Sequence, residues 1–341
     1  MRAKFADTLK IINGKNQQKV EDLQGRYPIY GSGGIMGYAN DYICPAETVI
    51  IGRKGSINKP IFADMPFWNV DTAFGLCADK AKLFPKYLYY FCVNFDFERL
   101  NTTVTIPSLT KSNLLNIEIP LPPLDEQRRI AAVLDKVSAL IAKRREQLDK
   151  LDELVKARFV EMFGDPINNT KGLPTIPLGK VCNLKAGVTT SSDEIHSQSE
   201  EYSVPCYGGN GIRGFVKKAT QNGTYPIIGR QGALCGNVQL ATGEFHATEH
   251  AVLVSPLIEV NVFWIYHLLK FMDLYRYHTG AAQPGLAVKV LNSVQVPIAD
   301  INQQNEFAMV SECINKSKLT IQQSLDKIET LKKALMQEYF G

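Results

Sequence analysis

Two short segments of the sequence match patterns that carry chemistry in other proteins. His246 to His250 read HATEH, which fits the H-x-x-E-H pattern of one class of zinc peptidase. That chemistry requires both histidines on one helical face, whereas the surrounding Thr, Val and Phe residues predict a strand. Gly209, Gly211 and Gly214 have the spacing of a dinucleotide fingerprint, but they lack the strand–turn–helix setting and the downstream acidic residue. Neither segment therefore predicts a metal or dinucleotide site.

Motifs that would give the chain a reaction of its own are missing from the sequence. It contains no G-x-x-x-x-G-K-[ST] phosphate loop. It also contains no N-P-P-F or D-P-P-Y stretch, the type of motif that holds a flipped adenine in adenine methyltransferases. The chain is therefore expected to hold no catalytic residue, metal or cofactor. An enzyme with an unrecognised active site stays open as an alternative.

The composition is that of a soluble globular protein. The 341 residues are 45% hydrophobic and 21% charged, which excludes a disordered or fibrous chain and favours two domains. The net charge of +4 permits a polyanionic partner but does not require one. The seven cysteines are scattered and include no C-x-x-C pair, which indicates a reducing compartment. With no membrane-spanning run and no signal-peptide core, a cytoplasmic location is expected.

The sequence repeats itself at one offset. Tyr30–Tyr38 reads YGSGGIMGY, and Tyr207–Phe215 reads YGGNGIRGF, 177 positions later. Ile50–Gly55, IIGRKG, recurs at the same offset as Ile227–Gly232, IIGRQG. Chance matches would not share one offset over such a distance, so the chain is predicted to be a tandem duplication. The further matches at this offset join Pro107–Leu109 to Pro284–Leu286, Ile117–Pro120 to Val294–Pro297, and Phe159–Gly164 to Met336–Gly341.

Each repeat is predicted to contain an α+β module followed by a long helix. Short apolar runs between turn residues predict strands at Val49–Gly52, Pro226–Gly229 and Ala251–Val254. Tyr87–Val93 and Val262–Leu269 fit short helices better. The predicted boundaries are 1–123 and 167–300 for the two modules, with helical segments at 124–166 and 301–341.

The two helical segments carry a sustained apolar seam. No Pro or Gly occurs between Leu124 and Phe163, and apolar residues recur at spacings of three and four, as in coiled coils. One helix of this length cannot bury such a seam alone, so the other copy is the expected partner. Whether the seam is only internal core, with no surface for a further protein, stays open. The predicted seam consists of Ile130, Leu134, Val137, Ile141, Leu148, Leu151, Val155 and Met162, then Phe307, Val310, Ile314, Ile321, Leu325, Ile328, Leu331 and Leu335.

The first helical segment carries a family resemblance. Ile119–Pro166, IPLPPLDEQRRIAAVLDKVSALIAKRREQLDKLDELVKARFVEMFGDP, strongly resembles the central conserved region of specificity subunits of Type I restriction-modification systems. The modules look like the target-recognition domains of that family, with YGSGGIMGY and IIGRKGS typical of one common version. The second helix start, PIADINQQNEFA, is a degraded copy without the Pro-Pro and the Arg pair. The resemblance covers essentially the full chain.

This resemblance implies a non-catalytic subunit. Each recognition domain is expected to read one half of a bipartite, asymmetric site in double-stranded DNA, and two antiparallel helices are expected to fix the gap. Two modification subunits are expected to dock on the chain and methylate adenine N6 with S-adenosylmethionine. Restriction subunits would add translocation and cleavage with ATP and Mg. The alternative is a stand-alone tandem DNA-binding or scaffold protein without restriction partners.

The glycine-rich loops hold the candidate DNA contacts. Glycine lets the backbone approach a duplex closely, and Arg or Gln can form two hydrogen bonds with guanine or adenine. Arg53 and Arg230 recur in both repeats, which suits a structural or phosphate contact, whereas Lys54 and Gln231 differ and are better candidates for discrimination. The alternative that the glycines serve only tight turns, and the tyrosines only the core, stays open. The candidates are Lys15, Tyr30, Ser32, Tyr38, Arg53, Lys54, Ser56 and Lys111, then Tyr207, Asn210, Arg213, Lys217, Lys218, Arg230, Gln231 and Lys289.

Overall fold

The first repeat folds as short strands and helices that lead into one long helix. The computed structural model describes residues 1–101, 108–280 and 284–341, so the predicted match at Pro107 lies outside the described residues. The elements of this repeat are β1 (Arg2–Lys4), α1 (Phe5–Thr8), β2 (Leu9–Asn13), β3 (Tyr27–Gly31), β4 (Gly34–Ala39), β5 (Thr48–Gly52), β6 (Ile61–Ala63), β7 (Trp68–Asn69), β8 (Ala73–Ala78), α2 (Pro85–Asn94), α3 (Lys111–Leu115), β9 (Glu118–Pro120) and α4 (Leu124–Phe163).

The second repeat uses the same order of elements. The strands predicted at Val49–Gly52, Pro226–Gly229 and Ala251–Val254 are confirmed, and so are the two short helices. The elements of this repeat are β10 (Thr175–Pro177), α5 (Leu178–Val181), β11 (Cys182–Ala186), β12 (Val204–Gly208), β13 (Gly211–Val216), β14 (Gln221–Gly229), β15 (Val238–Ala247), β16 (Ala251–Pro256), α6 (Val262–Phe271), α7 (Val288–Ser293), β17 (Gln295–Pro297) and α8 (Ile301–Phe340).

The sheets of the two repeats match strand for strand except at one place. Each repeat has a two-stranded sheet, β1-β9 or β10-β17. In the first repeat β2-β8-β5-β6 form a further sheet and β4-β3-β7 another, whereas the matching strands of the second repeat form a single sheet, β11-β16-β14-β15-β12-β13. The single strand β15 pairs with both β14 and β12. In the first repeat two separate strands form the equivalent pairs, β6 with β5 and β7 with β3. Pro66 lies between β6 and β7 and has no N–H to donate to a ladder, while Glu244 stands at the matching place in β15.

The chain divides into two compact units, and each long helix contributes to both. Unit 1 comprises Met1–Glu146 and Gln322–Gly341, and unit 2 comprises Gln147–Ile321. The core of unit 1 joins its sheet to α2, to the start of α4 and to the end of α8, where the Phe340 ring lies 5.0 Å from that of Tyr87. The core of unit 2 is equally aromatic, with Phe159 of α4 5.3 Å from Phe307 of α8.

Within each unit the segments of α4 and α8 run antiparallel, as predicted. In unit 2, Asp152 accepts from Lys318 at 2.7 Å, and Arg158, further along α4, donates to Glu306, earlier in α8, at 2.9 Å. In unit 1, Arg145 donates to Glu329 at 2.7 Å. Arg129, earlier in α4, interacts electrostatically with Glu338, later in α8. These exposed pairs fix direction and register more than they add stability.

One position of the predicted seam is wrong. Leu331 is 50% exposed, whereas Met336 and Phe340, which the predicted seam omits, are only 6% exposed. A straight α-helix drifts by about 20° per heptad against a repeat of 3.5 residues. Over the length of α8 this drift turns Leu331 towards solvent and brings the last two turns to the core through Met336 and Phe340.

Candidate nucleic-acid interface

A glycine-rich hairpin stands at the same place in each unit. Strands β3 and β4 are joined by a two-residue turn, and β12 and β13 repeat this geometry. Gly34 and Gly211 begin the second strand of each hairpin with φ of +127° and +102°, which L side chains rarely adopt. Glycine recurs at this position because the backbone conformation requires it, and the two-residue turn is narrow.

Both hairpins contain the same β-bulge. In unit 1 the register shifts between Ile29 and Tyr30, so that Met36 is the extra residue, and in unit 2 Arg213 is the extra residue. The side chains of Met36 and Arg213 fold back over the glycine that precedes each turn. A bulge of this kind re-aims side chains, and here it sets the direction of the residues on the second strand.

A second loop follows β5 in unit 1 and β14 in unit 2, and it is held by the backbone. The N–H of Arg53 donates to Thr72 at 2.7 Å, and its carbonyl accepts from Leu109 at 2.9 Å. Arg230 repeats both bonds, to His250 at 3.0 Å and from Leu286 at 2.8 Å. The backbone of both predicted arginines is therefore fixed, while their guanidinium groups are left for other contacts.

The hairpin turn and the second loop meet in both units. A Cβ at Gly229 would lie 2.1 Å from the carbonyl oxygen of Gly209, so only glycine allows this approach. In unit 1, a Cβ at Gly52 would lie 3.1 Å from the Cβ of Ser32. Two segments that the sequence singled out separately thus form one surface in each unit.

In unit 2 this surface is a cleft of about 590 Å³. Three predicted residues line it together, Asn210 and Arg213 from the hairpin and Gln231 from the second loop. Asn210 Oδ1 accepts from Asn237 at 2.6 Å, which orients its side chain. Ile212, Ala233 and Leu234, which are not among the predicted contacts, also line the cleft, as does His250 of the HATEH segment.

The cations of these loops are not neutralised. Within the described ranges, none of Arg53, Lys54, Arg213 and Arg230 forms an ion pair. The Arg53 guanidinium lies 5.8 Å from the ring of Phe74. Among the described side chains, Arg230 Nε and His250 Nδ1 are buried without a hydrogen-bond partner. Unpaired cations and orphaned polar atoms at one surface suit an anionic ligand.

The predicted tyrosines divide between core and surface. Tyr30 packs edge-on against Phe67 with ring centroids 5.3 Å apart, and Tyr207 packs in the same way against Phe245 at 5.5 Å. Burial raises the pKa of both phenols, with Asp64 adding to the effect at Tyr30. Tyr38 differs, because its side chain is 47% exposed. The geometry of Tyr30 and Tyr207 suits support of the hairpin, whereas Tyr38 is open to a ligand.

The remaining predicted residues lie apart from the two loops or at their edge. Lys111 Nζ donates to the carbonyl of Ile11 at 3.0 Å, which places its side chain beside the middle of β2. Lys15 is exposed, and its backbone carbonyl accepts from the Trp68 indole at 3.0 Å. Lys289 is exposed on α7, and Ser56 is half-buried in the loop after β5.

Lys217 and Lys218 line a different cleft of unit 2, of about 430 Å³. Lys217 donates to Glu201 at 2.5 Å, and this hydrogen bond lowers the pKa of the Glu201 carboxyl. Asp193 and Glu194 line the same cleft. The charge of Lys217, one of the candidate DNA contacts, is therefore already balanced in part by the Glu201 carboxylate.

The HATEH segment is strand, as the sequence predicts, only at His246 and Ala247. His246 lies at the end of β15, and its Nε2 is 2.7 Å from Thr190 Oγ1, whereas His250 follows in a turn. Within residues 1–101, 108–280 and 284–341, no group of three His, Cys, Asp or Glu side chains could hold a metal ion. No helix in the described part of the chain is long and apolar enough to cross a membrane.

Comparisons with known proteins agree with this duplicated architecture. The specificity subunit of the Type I restriction enzyme EcoprrI from Escherichia coli is 33% identical over 309 residues, which cover 86% of this chain and 72% of that protein. The MjaVIII specificity subunit of Methanocaldococcus jannaschii is 24% identical, with 98% of this chain and 90% of that protein covered.

Solved structures share the fold. The crystal structure of a Type I restriction-modification S subunit from M. genitalium matches 100% of this chain and 96% of its own with a TM-score of 0.71, at 18% identity. The family profile described as Type I restriction modification DNA specificity domain matches twice, at residues 3–152 and 171–330. The chain therefore belongs to the family of Type I restriction-modification specificity proteins, and it carries the DNA specificity domain of that family in two copies.

Proposed function

We propose that the chain is the sequence-specificity subunit of a Type I restriction-modification complex. Residues 1–123 and 167–300 would each read one half of a bipartite, asymmetric DNA site. The observation that carries the proposal is the repeated pairing of a glycine-rich hairpin with an arginine-bearing loop. Arg53 and Arg230 stand at matching places in this loop, and neither forms an ion pair with another residue that the structure describes. Sequence readout needs side chains at base edges and cations at phosphates, and both kinds of residue meet at this surface.

The two long helices would set the gap between the half-sites. Each has 40 residues, and a helical pair is far stiffer than a Gly/Ser linker, which would not hold a register on DNA. Helices α4 and α8 would also carry the modification subunits. Exposed apolar residues on these helices support such docking, because protein interfaces bury apolar side chains at their centre. These residues are Leu140, Leu154, Val160, Met309, Leu319 and Leu331.

In this assignment the partner subunits, and not this chain, would carry out the reactions. Two modification subunits would transfer a methyl group from S-adenosylmethionine to adenine N6, and restriction subunits would use ATP and Mg to translocate and cleave DNA. The chain would contribute no catalytic residue, and the complex would work in the cytoplasm. The candidate DNA contacts stay as predicted, with Arg213, Arg230 and Gln231 favoured in the second domain and Arg53 and Lys54 in the first.

Reconstitution tests the proposal. The purified chain alone should neither methylate nor cleave DNA, whereas the chain with its modification subunits and S-adenosylmethionine should methylate adenine within a bipartite site, read out by methylome sequencing. Exchange of residues 1–123 for the equivalent domain of another specificity subunit should change one half-site and leave the other intact. Methylation by the isolated chain, or a simultaneous change of both half-sites, would refute the assignment.

A further inference from the structure

One exposed apolar residue recurs at the same place in both hairpins. Ile35 and Ile212 each follow the positive-φ glycine of the turn and lie opposite Tyr30 and Tyr207 in register. Their exposed fractions are nearly equal, 55% for Ile35 and 54% for Ile212. A single exposed isoleucine is ordinary, but the same residue with the same exposure at two equivalent turns calls for a shared cause.

Packing within the hairpins does not supply that cause. The neighbouring bulged residue, Met36 or Arg213, is the one that folds back over the hairpin and covers Gly31 or Gly208. In unit 2, Ile212 instead lines the open cleft beside Arg213 and Gln231. An aliphatic side chain is therefore held at the rim of a cleft that also contains the hydrogen-bonding groups of Arg213 and Gln231 and a second exposed aliphatic residue, Leu234.

The recurrence of isoleucine limits which features of the DNA the two side chains can contact. Two domains that read different sequences share only the features that both half-sites contain. One such feature is the phosphate backbone, but phosphates attract cations and not an aliphatic group. The proposed function, on which this inference rests, supplies another, because two modification subunits that each methylate one half-site would require an adenine, and hence an A·T pair, in both. Thymine displays its 5-methyl group in the major groove, where an apolar side chain can contact it.

We infer that Ile35 and Ile212 are specificity residues that contact the 5-methyl group of a thymine, one in each half-site. Arg213 and Gln231 stand beside Ile212 at the cleft and can hydrogen-bond to the flanking base edges. A methyl contact and directional hydrogen bonds at one hairpin would read an A·T pair together with its neighbours.

Deoxyuridine substitution tests the methyl group itself, without any change to the protein. The wild-type chain with its modification subunits is titrated, at fixed salt, with duplexes in which each thymine of a half-site is replaced in turn by uracil. One position in each half-site should weaken binding about four-fold, the effect of removing one buried methyl group. A half-site in which no uracil substitution changes the affinity would overturn the inference.

Two variants assign the contact to a residue. In Ile35→Ala, replacement of thymine by uracil should no longer weaken binding in the half-site read by unit 1, but should still weaken it in the other half-site. Ile212→Ala should show the opposite pattern. This weakening of binding by uracil is called the uracil effect. Ile→Val at either position should keep most of the effect, because it retains a branched apolar side chain. Leu23→Ala and Leu257→Ala are matched controls, since these leucines are 99% and 60% exposed and lie outside the hairpins.

The outcomes separate this inference from the proposed function. A uracil effect that persists in Ile35→Ala and Ile212→Ala would mean that another residue reads the methyl group. If either variant lowered the affinity for thymine and uracil duplexes equally, the isoleucine would act as a wedge inserted between base pairs. That result would also overturn the methyl contact. Absence of any sequence-specific binding by the wild-type complex would instead refute the proposed function.

Discussion

Gln127 and Gln304 hold the same position in the two units, 0% and 1% exposed, and each ties a long helix to the start of a short one. The Gln127 Oε1 accepts from the backbone N–H of Phe84 at 2.8 Å, and the Gln304 Oε1 accepts from that of Asn261 at 2.9 Å. Phe84 and Asn261 are the residues that cap α2 and α6. Each buried amide thereby joins the module to the helical segment.

Removal of either glutamine side chain should destabilise the protein. Gln127→Ala leaves the N–H of Phe84 and the carbonyls of Lys82 and Pro122 without their partner, and Gln304→Ala leaves Asn261 and Ala299 in the same state. A buried polar group left unpaired costs about 1–3 kcal/mol, so each variant should lose that much free energy of unfolding.

Chemical denaturation measures this loss. Gln303→Ala is the matched control, because this neighbouring glutamine on α8 is exposed. An unchanged denaturation midpoint for both Gln127→Ala and Gln304→Ala would show that water replaces the lost hydrogen bonds.

These glutamines also show what the sequence could and could not predict. The repeat offset and the apolar spacing predicted the order of elements and the long helices, because both depend on local pattern. PIADINQQNEFA looked degraded by its missing Pro-Pro and Arg pair, although it keeps Gln304. The role of that glutamine depends on a backbone N–H 43 positions away, which no local pattern displays.

The candidate site was predictable in part for the same reason. Glycine spacing located the loops, since tight turns and close backbone approach have a residue signature. Their meeting at one surface, through Gly209 and Gly229, depends on the sheet and was not visible. Ile212 carries no spacing signal because it is a single exposed aliphatic residue, and the spacing of His250 in HATEH pointed to a metal site and not to this cleft.

Substitution of the recurring arginines should weaken DNA binding. Arg53→Ala and Arg230→Ala should each cost about 1–3 kcal/mol on the specific site if the guanidinium forms two bonds with a base. A phosphate contact should weaken all sequences alike and lower the salt slope by about one. Titration at several salt concentrations distinguishes the two, with Arg26→Ala as an exposed control. Unchanged affinity in both variants would remove these loops from the DNA surface.

Exchange of the non-matching pair should alter which bases are read. Lys54→Gln and Gln231→Lys each swap the side chain of one loop for that of the other, on backbones held by equivalent bridges to Ser108 and Gly285. Each swap should change preference in one half-site only, because amide and ammonium groups favour different base edges. Competition binding against a set of half-site variants measures this, and an unchanged preference would make these residues positional contacts only.

His267 should make unit 2 sensitive to acid. Its ring is buried, its Nε2 lies 2.7 Å from Ser311 Oγ, and burial, assisted by Lys270 and Lys318, lowers its pKa to about 3. The unfolded chain binds this proton near pH 6.5, so between pH 6.5 and 3 the unfolded state holds more protons, and stability falls with the pH. The loss approaches about 1.4 kcal/mol for each pH unit.

The slope of stability against pH identifies this group. Between pH 6 and pH 5, the free energy of unfolding should fall less steeply in His267→Gln than in the wild type. The difference in slope should correspond to most of one proton. Equal slopes for His267→Gln and the wild type would mean that His267 is protonated in the folded protein as readily as in the unfolded chain.

The long helices should act as a ruler. The boundary of the two units falls at 146/147 in α4 and at 321/322 in α8, so insertions there leave the core of each unit intact. One heptad added between Arg145 and Lys150 keeps the apolar phase and lengthens α4 by roughly 10 Å. A matching heptad near Gln322–Asp326 is needed, because α4 and α8 run antiparallel within each unit and their pairing would otherwise slip.

The doubly extended chain should keep both half-site sequences and prefer a gap longer by about three base pairs, at about 3.4 Å for each base pair. The bases are read by loops that the insertions do not touch, whereas the gap follows from helix length. Methylome sequencing of cells that carry the variant with its modification subunits gives both quantities at once. The singly extended α4 variant is the control, and it should lose stability or activity because only one partner of the pair has grown. If the doubly extended protein is folded and active but recognises the original gap, the spacing must be set by another part of the complex.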